Sequence, residues 1–282
     1  MEQNTAMRDK EHIKSLQRGL KILEILGRSS RWLTLTEIAG LCRVNKTATQ
    51  RFLNTLSALE YIKRDENKRY FLTPKILSIG FNYLNCSDLR TVAQPHIDNL
   101  SSVVNKTVNL VILDGTEVLF LYRKEKSRYL KYDIGVGSRL PAYCTSTGKV
   151  LLAGLNEPEL RKRVSGMHFE AITGKTIRSA RTLLIDIEQT RRRGYGICDQ
   201  ELSLDLYSMA VPLLDRNAAV SAAINVTMDA RQKNSPEKQV IITKLMHTGQ
   251  VVSELLGYRG AYPRFCGPHR PRSRPDGSGT EN

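Results

Sequence analysis

The 282-residue sequence predicts an α+β protein with two domains. In the first 73 residues, three short helical patterns precede a pair of β-prone runs. Beyond residue 88, strand-like runs fall between longer helical patterns, which is typical of an antiparallel sheet packed with helices. This order predicts a small helical domain over residues 13–73, a linker helix over 74–88 and a larger domain over 89–258.

The helices of the first domain are predicted from apolar spacing and capping residues. Thr34 and Glu37 have the spacing of a capping box at the start of a short second helix, although Thr36 is a competing cap. Asn45 can cap a third helix over residues 46–59. In the first helix, over residues 15–26, the predicted buried stripe is Leu16, Leu20, Leu23 and Leu26, widened by Ile22 and Ile25.

The outer face of the third helix carries polar side chains, concentrated in its first two turns. A recognition helix reads base edges with such residues, although a solvated helix face has the same composition. The basic hairpin that follows, residues 61–64 and 69–72, favours the first interpretation, because three helices and a basic hairpin form the winged helix-turn-helix plan. The candidate DNA-binding residues are Thr36, Lys46, Thr47, Thr49, Gln50, Arg51 and Asn54, with Lys68 and Arg69 in the wing.

The distribution of charge agrees with a nucleic-acid partner. Of the net charge of +15, residues 1–85 contribute 15 Lys and Arg against 8 Asp and Glu, whereas residues 86–258 contribute 23 against 18. A basic module of this kind is typical of a protein that meets a polyanion. A basic surface that serves only solubility is the alternative that charge alone leaves open.

No targeting or membrane segment is predicted. The first twelve residues are polar, and the longest apolar runs, such as residues 108–113, are far shorter than the roughly 20 residues that span a bilayer. The five cysteines are scattered and odd in number, so neither a disulfide framework nor a metal site is indicated. We therefore expect a cytoplasmic protein without a membrane partner.

The second domain is predicted to alternate strands and helices. The strongest short signal is Asp114-Gly115, a hairpin turn between β-prone runs at residues 108–113 and 118–122. Further strands are predicted at residues 196–199, 208–213 and 220–228, and helices at 89–103, 157–163, 179–193 and 236–256.

Several stretches of the N-terminal domain resemble the IclR family of bacterial regulators, and the resemblance continues to about residue 258. The matching stretches are SLQRGL (15–20), LTEIA (35–39), RFLNTL (51–56) and YFLTP (70–74). The resemblance implies a transcription regulator that binds a double-stranded DNA operator. It also implies a homodimer that can pair into a dimer of dimers, a linker helix that helps the chains to dimerise, and RNA polymerase as a partner if the protein is an activator.

The same resemblance implies a GAF-like effector-binding domain. Residues 140–149 match the segment that turns from a strand into a helix and lines the effector cavity. A helix that begins near Ser146 would direct free N–H groups at a bound carboxylate. The implied effector-binding residues are Ser146, Thr147, Cys198, Leu206, Ser208, Asn225 and Thr227. Ordinary polar residues of a half-buried sheet are the alternative for Ser208, Asn225 and Thr227, and Cys198 stands where some members have an acidic residue.

Residues 139–146 and 199–202 further resemble the group that regulates aromatic-acid catabolism through the β-ketoadipate pathway. This implies a small organic acid as effector, such as protocatechuate, 4-hydroxybenzoate or β-ketoadipate. The tail over residues 259–282 departs from the family and is predicted to be disordered and basic, and residues 1–12 are predicted to be flexible.

No catalytic constellation, metal site or cofactor motif is predicted. Cys144 has no recognisable base motif and is interpreted as a small apolar residue. The alternative function is an enzyme that acts on a small acid and carries an autoregulatory DNA-binding domain. A constitutive DNA-binding scaffold, whose second domain serves only dimerisation, is a third interpretation.

Overall fold

The computed structural model describes residues 13–85, 88–126 and 134–265. The chain divides into two compact units, Met1–Cys86 and Ser87–Asn282, so the linker helix is grouped with the N-terminal unit. The predicted flexible N-terminus, residues 86–87 of the predicted linker and residues 266–282 of the predicted tail lie outside the described residues. In the described part of the chain, no helix combines the length and apolarity needed to cross a membrane.

The described part of the N-terminal unit contains four helices and a small sheet. Its elements are α1 (Lys14–Arg28), β1 (Leu33–Thr34), α2 (Leu35–Cys42), α3 (Lys46–Ala58), β2 (Ile62–Arg64), β3 (Arg69–Leu72) and α4 (Lys75–Asn85). The predicted hairpin, β2 and β3, is extended by β1, which pairs antiparallel with the other edge of β3. The two-residue β1 is too short to have a periodic signal in the sequence.

The capping predictions for α2 and α3 are confirmed. The Thr34 backbone N–H donates to Glu37 Oε2 at 2.8 Å, and the Glu37 N–H donates to Thr34 Oγ1 at 3.4 Å, so both halves of the capping box are present. The Ala48 N–H donates to Asn45 Oδ1 at 2.8 Å. The turn between the two helices contains Arg43 in the left-handed region, with φ 56°. These local contacts fix where α3 begins.

The predicted buried stripe of α1 is wrong in its N-terminal half. Ile22 and Leu26 are buried, but Leu16 and Leu20 are 59% and 52% exposed. Periodicity identified the apolar face of α1 correctly but not how far the remainder of the unit covers it. The core of this unit consists of Ile22, Leu26, Leu33, Ile38, Leu53, Leu56, Ile62 and Tyr70.

The C-terminal unit is an antiparallel six-stranded sheet with helices on both faces. Its strands are β4 (Thr107–Asp114), β5 (Glu117–Lys124), β6 (Arg139–Pro141), β7 (Gly196–Asp199), β8 (Leu206–Leu214) and β9 (Val220–Asp229). Its helices are α5 (Asp88–Val104), α6 (Ser146–Ala153), α7 (Glu157–Ser165), α8 (Ala180–Arg193) and α9 (Glu237–Leu255). The predicted α+β class is confirmed, and the short edge strand β6 lies where the resemblance implied that a strand turns into a helix.

The strand order is β6-β5-β4-β9-β8-β7. Helices α5 and α9 pack together on one face of the sheet, whereas α6 packs against β7, β8 and β9 on the other face and is itself covered by α8. The predicted tail is ordered at its start, which corrects the boundary at residue 259. The Tyr262 hydroxyl donates to the Pro212 carbonyl at 2.7 Å, and Phe265 packs against the core. Both rings bury apolar area, which favours this packing. The polar composition of the tail did not suggest it.

Candidate functional site

A pocket lies between the N-terminus of α6 and the sheet face that α6 covers. All seven residues implied for effector binding line it. The full lining is Asn109, Phe120, Arg123, Ile134, Leu140, Thr145, Ser146, Thr147, Cys198, Leu202, Leu206, Ser208, Asn225 and Thr227. The lining combines an apolar wall with a row of hydrogen-bonding side chains.

Two glycines allow the start of α6 to approach its neighbours closely, Gly148 against the turn that precedes the helix and Gly196 against the helix from strand β7. A Cβ at Gly148 would lie 2.2 Å from the Ala142 carbonyl oxygen, and one at Gly196 in β7 would lie 2.4 Å from the Ser146 carbonyl oxygen. Neither position can therefore accept a larger side chain without moving backbone. Thr145 caps the helix by accepting from the Gly148 N–H at 3.1 Å. This close approach brings the side chains of the first turn of α6 to the pocket.

The sheet register aligns the polar side chains in two rows. In the first row, Arg123 of β5 is directly opposite Asn109 of β4, which is directly opposite Asn225 of β9. Because directly opposite residues in an antiparallel pair share a face, all three lie on the pocket side of the sheet. The second row runs across neighbouring strands as Thr227, Ser208 and Cys198.

Hydrogen bonds connect the members of these rows. Arg123 donates through Nη1 to Asn109 Oδ1 at 2.9 Å, and Asn109 Nδ2 donates to Asn225 Oδ1 at 2.9 Å. Asn225 Nδ2 in turn donates to Thr227 Oγ1 at 3.3 Å. These hydrogen bonds are consistent with one orientation of both amide side chains, because each donates through its nitrogen and accepts through its oxygen.

Cys198 is an uncharged part of the pocket wall. Its side chain is buried, and burial raises the pKa of the thiol to about 12. Its sulfur donates to the Cys144 carbonyl oxygen at 3.2 Å. Burial also raises the pKa of the Cys144 thiol, so both cysteines are protonated at neutral pH and neither is an activated nucleophile.

A buried ion cluster supports α6 behind the pocket. Lys149 is 1% exposed, and its Nζ lies 2.5 Å from both Asp186 Oδ2 and Glu201 Oε1 while donating to the Ile197 carbonyl at 3.0 Å. Burial would lower the pKa of Lys149, but the neighbouring carboxylates of Glu201 and Asp186 outweigh it and raise that pKa. Lys149 therefore ties α6 to α8 and to the segment that follows β7.

The polar face of α3 is exposed in the N-terminal unit. Thr36 of α2 and Lys46, Thr47, Arg51 and Asn54 of α3 are exposed, and the four in α3 lie on one helix face. Gln50 lies on the same face but is half-buried. Its Nε2 donates to Asn54 Oδ1 at 2.8 Å and to the Tyr70 hydroxyl at 3.2 Å. Gln50 must therefore exchange a partner before it can donate to a base.

The structure corrects the prediction that Thr49 belongs to the DNA-binding surface. Thr49 is fully buried, and its hydroxyl donates to the Asn45 carbonyl at 2.9 Å. The reason is helical geometry, because position 49 faces the core while positions 46, 47, 50, 51 and 54 face away from it.

The two wing residues differ in how they are held. Lys68 is exposed at the hairpin turn, and no ion pair of its side chain is found among the described residues. The Arg69 guanidinium lies 2.8 Å from Asp65 Oδ2 and 5.4 Å from the Trp32 ring centroid. Burial opposes ionisation of Asp65, but its hydrogen bonds from Arg69 prevail and lower its pKa. Lys68 is thus the freer cation of the two.

Two family models match the chain. One, the IclR helix-turn-helix domain, matches residues 15–66, and the other, the bacterial transcriptional regulator IclR C-terminal domain, matches residues 81–254. The chain belongs to the IclR family. The fold and the order of its domains agree with this membership, and the family implies that this protein binds DNA and a small-molecule effector.

Two relatives of this IclR-family protein are regulators named for the Pca regulon and for p-hydroxybenzoate hydroxylase. The chain is 36% identical over 220 residues to the Pca regulon regulatory protein of Pseudomonas putida, covering 78% of this chain and 75% of the relative. It is 31% identical over 245 residues to the p-hydroxybenzoate hydroxylase transcriptional activator of Acinetobacter baylyi, covering 85% and 89%. The predicted resemblance to the β-ketoadipate group is confirmed by these matches.

A solved structure shares the fold. It is an IclR homologue from Microbacterium hydrocarbonoxydans, complexed with 4-hydroxybenzoate, with a TM-score of 0.72 and 22% identity over 86% of this chain and 98% of that one. The matched domains and the relatives are all transcription regulators, and this IclR-family protein is a regulator rather than an enzyme. Among the described residues, no group of His, Cys, Asp or Glu is arranged to hold a metal ion.

The sequence-based prediction missed Asn109 and Arg123 of the IclR-family protein, which lie in the pocket lining. The sequence signal for Asn109 was present, because it is a polar residue inside an otherwise apolar strand. Arg123 had no such signal. It lies among the charged residues at the end of β5, where a solvated strand end would look the same.

Proposed function

We propose that this regulator controls genes of aromatic-acid catabolism by binding a small carboxylic acid in the pocket between α6 and the sheet. The observation that carries the proposal is the chemistry of the lining. Hydroxyl, amide and guanidinium groups converge there, and the described lining residues include no carboxylate. Such a set favours an anion, because Arg is always charged and donates without accepting.

The apolar part of the pocket suits a ring or short carbon chain. Phe120, Leu140 and Leu206 lie in the lining beside the polar rows. The free volume is about 40 Å³, whereas a protein cavity that accommodates benzene measures about 150 Å³. An aromatic acid therefore requires the lining side chains to move, and a smaller acid requires less. The identities of the two relatives favour the aromatic class.

For operator binding we assign base and backbone contacts to the exposed face of α3 and to the wing. The side chains proposed to meet DNA are Thr36, Lys46, Thr47, Gln50, Arg51, Asn54, Lys68 and Arg69. Polar side chains in the first turns of α3 are suited to base edges, and wing cations are suited to phosphates. Thr49 is left out because it is buried.

We further propose that the protein acts as a homodimer, which can pair into a dimer of dimers. Leu16 and Leu20 on α1, and Leu77 and Ile79 on α4, are between 52% and 70% exposed. Covering such side chains is favourable, and two recognition helices from one dimer can read two half-sites. As an activator it would contact RNA polymerase. We place it in the cytoplasm, where bacterial DNA is accessible.

A thermal-shift screen of small acids tests the effector proposal. The panel contains 4-hydroxybenzoate, protocatechuate, β-ketoadipate and pyruvate, and the best ligand is then titrated in operator-binding measurements by fluorescence anisotropy. We expect an acid that raises Tm, changes operator affinity and is recovered chemically unchanged. Conversion of the acid to a product would support the enzyme alternative. No stabilisation by any acid would contradict the proposal.

An Asn225→Ala variant localises the effector. Asn225 bridges Asn109 and Thr227, and hydrogen bonds to charged groups contribute about 1.5–3 kcal/mol each, so effector affinity should fall by roughly ten- to a hundred-fold. Operator affinity without effector should change little, because Asn225 lies in the other unit. The matched control is Asn217→Ala, an exposed asparagine in the turn between β8 and β9. Wild-type effector affinity in Asn225→Ala would remove this residue from the site.

A further inference from the structure

We infer that Arg123 binds the carboxylate of the effector and makes the pocket prefer acids over neutral analogues, an inference that rests on the proposed effector function. Arg123 is the one cation among the described lining residues of the pocket. Its place was not predicted from the sequence.

The hydrogen-bonding capacity of the Arg123 guanidinium is only partly used. Its side chain is 14% exposed, and its Nε is buried with no hydrogen-bond partner among the described residues. Nη1 donates to Asn109, and Nη2 lies 3.4 Å from Oε1 of Glu125, whose side chain is 38% exposed. A buried donor on a largely covered cation is costly to leave unpaired, and a further anion would complete its hydrogen bonds. A ligand carboxylate is such an anion.

The guanidinium is also held in place before any ligand arrives. Asn109 accepts from Arg123 and donates to Asn225, so the planar fork of the guanidinium is anchored through two neighbouring strands. A guanidinium matches the two oxygens of a carboxylate with parallel N–H donors, which an ammonium cannot do. Because the position of the guanidinium is largely set by the sheet register, little ordering of Arg123 itself is needed on binding.

A purely structural role is the competing explanation. Arg123 would then serve only to pair Glu125 and to satisfy Asn109. Its removal would lower Tm, and effector affinity would fall by the same factor for charged and neutral ligands. If Arg123 binds the carboxylate, its removal changes the ratio of the affinity for the acid to the affinity for the neutral analogue.

The test compares 4-hydroxybenzoate with its neutral analogue 4-hydroxybenzamide by isothermal titration calorimetry. Three forms of the full chain are used: wild type, Arg123→Gln and Arg123→Lys. The wild type should prefer the acid. In Arg123→Gln, affinity for the acid should fall roughly ten- to a hundred-fold while affinity for the amide changes much less. Arg123→Lys keeps the charge without the fork, so it should bind the acid with intermediate affinity.

The matched control is Arg139→Gln on β6. Arg139 is exposed, forms ion pairs with Asp114 and Glu117, and is not part of the pocket lining. It should leave the acid-to-amide ratio unchanged. Operator binding and circular dichroism establish that each variant is folded, and Arg123→Lys carries the test if Arg123→Gln does not fold. An unchanged acid preference in the Arg123 variants would overturn this inference and leave the proposed function intact. A wild-type protein that binds no acid would overturn the proposed function and this inference with it.

Discussion

The side-chain oxygens of Ser146 and Ser208 lie 2.8 Å apart and join the first turn of α6 to strand β8. Both residues are buried, at 1% and 4% exposure. A hydroxyl pair offers one further donor and several acceptor sites, so an anion beside it can be bound without breaking the link. The same contact therefore holds the fold together and faces the pocket.

The two serines should be energetically coupled. Removing either hydroxyl leaves the other buried without this partner, which costs about 1–3 kcal/mol, whereas removing both costs less than the sum. A double-mutant cycle of Ser146→Ala and Ser208→Ala, measured by chemical denaturation, should give a coupling free energy of about 0.5–3 kcal/mol. Additive effects of the two changes would show that the hydroxyl pair does not contribute to stability.

Gln50→Ala should weaken binding to the operator by roughly 1–3 kcal/mol if Gln50 makes a bidentate contact with a base. In the free protein its Nε2 is shared between Asn54 and Tyr70, so a Tyr70→Phe variant frees one donor and serves as a comparison. The loss should be far smaller on DNA of random sequence, as measured by anisotropy titrations at fixed salt. Equal losses on both sequences would assign Gln50 to the phosphate backbone.

Lys68→Ala should reduce the salt dependence of DNA binding by about one unit of slope, because a released phosphate contact removes about one counterion. Arg69→Ala should reduce the slope less, since Asp65 and Trp32 already occupy its guanidinium. The measurement is log affinity against log salt concentration on any duplex. A larger change of slope in Arg69→Ala than in Lys68→Ala would reverse the roles of the two wing cations.

Lys149→Met should destabilise the C-terminal unit by about 3–5 kcal/mol, because it leaves the buried Glu201 carboxylate without its cation. Burial raises the pKa of Glu201 above its ordinary value, and the variant removes the cation that opposes this rise. The folded variant then binds a proton more readily than the unfolded chain, so its stability should improve as pH falls from 8 towards 5.

Thermal unfolding of the full chain at both pH values checks this prediction. Lys162→Met, at an exposed position on α7, is the matched control and should have little effect at either pH. A loss in Lys149→Met that is the same at pH 5 and pH 8 would show that Glu201 is not the group left uncompensated.

Much of the N-terminal unit follows from contacts between residues close in sequence. The Thr34–Glu37 capping box and the Asn45 cap formed as predicted, because a cap needs only the right side chain within three residues of a free N–H group. The exposure of Leu16 and Leu20 did not follow, because apolar periodicity says which face of a helix is apolar and not how much of it is covered.

The lining of the pocket depends on tertiary structure that the sequence pattern did not predict. A β-bulge on β5 shifts the register between Leu110 and Val111 of β4, so Phe120 pairs with Val111 while Arg123 pairs with Asn109. Regular alternation would have placed Phe120 and Arg123 on opposite faces of the sheet, because they are three residues apart. The bulge puts both on the pocket side.

The sequence by itself determined the family, the fold class, nearly every helix and strand, and seven of the pocket residues, since these follow from local patterns and matched motifs. The tertiary structure decided that Lys149 is enclosed by Asp186 and Glu201, and that Arg123 enters the pocket. These outcomes depend on strand register, on a bulge and on the close packing of Gly196 against Ser146. All three involve segments that are distant in the chain, and no local pattern specifies them.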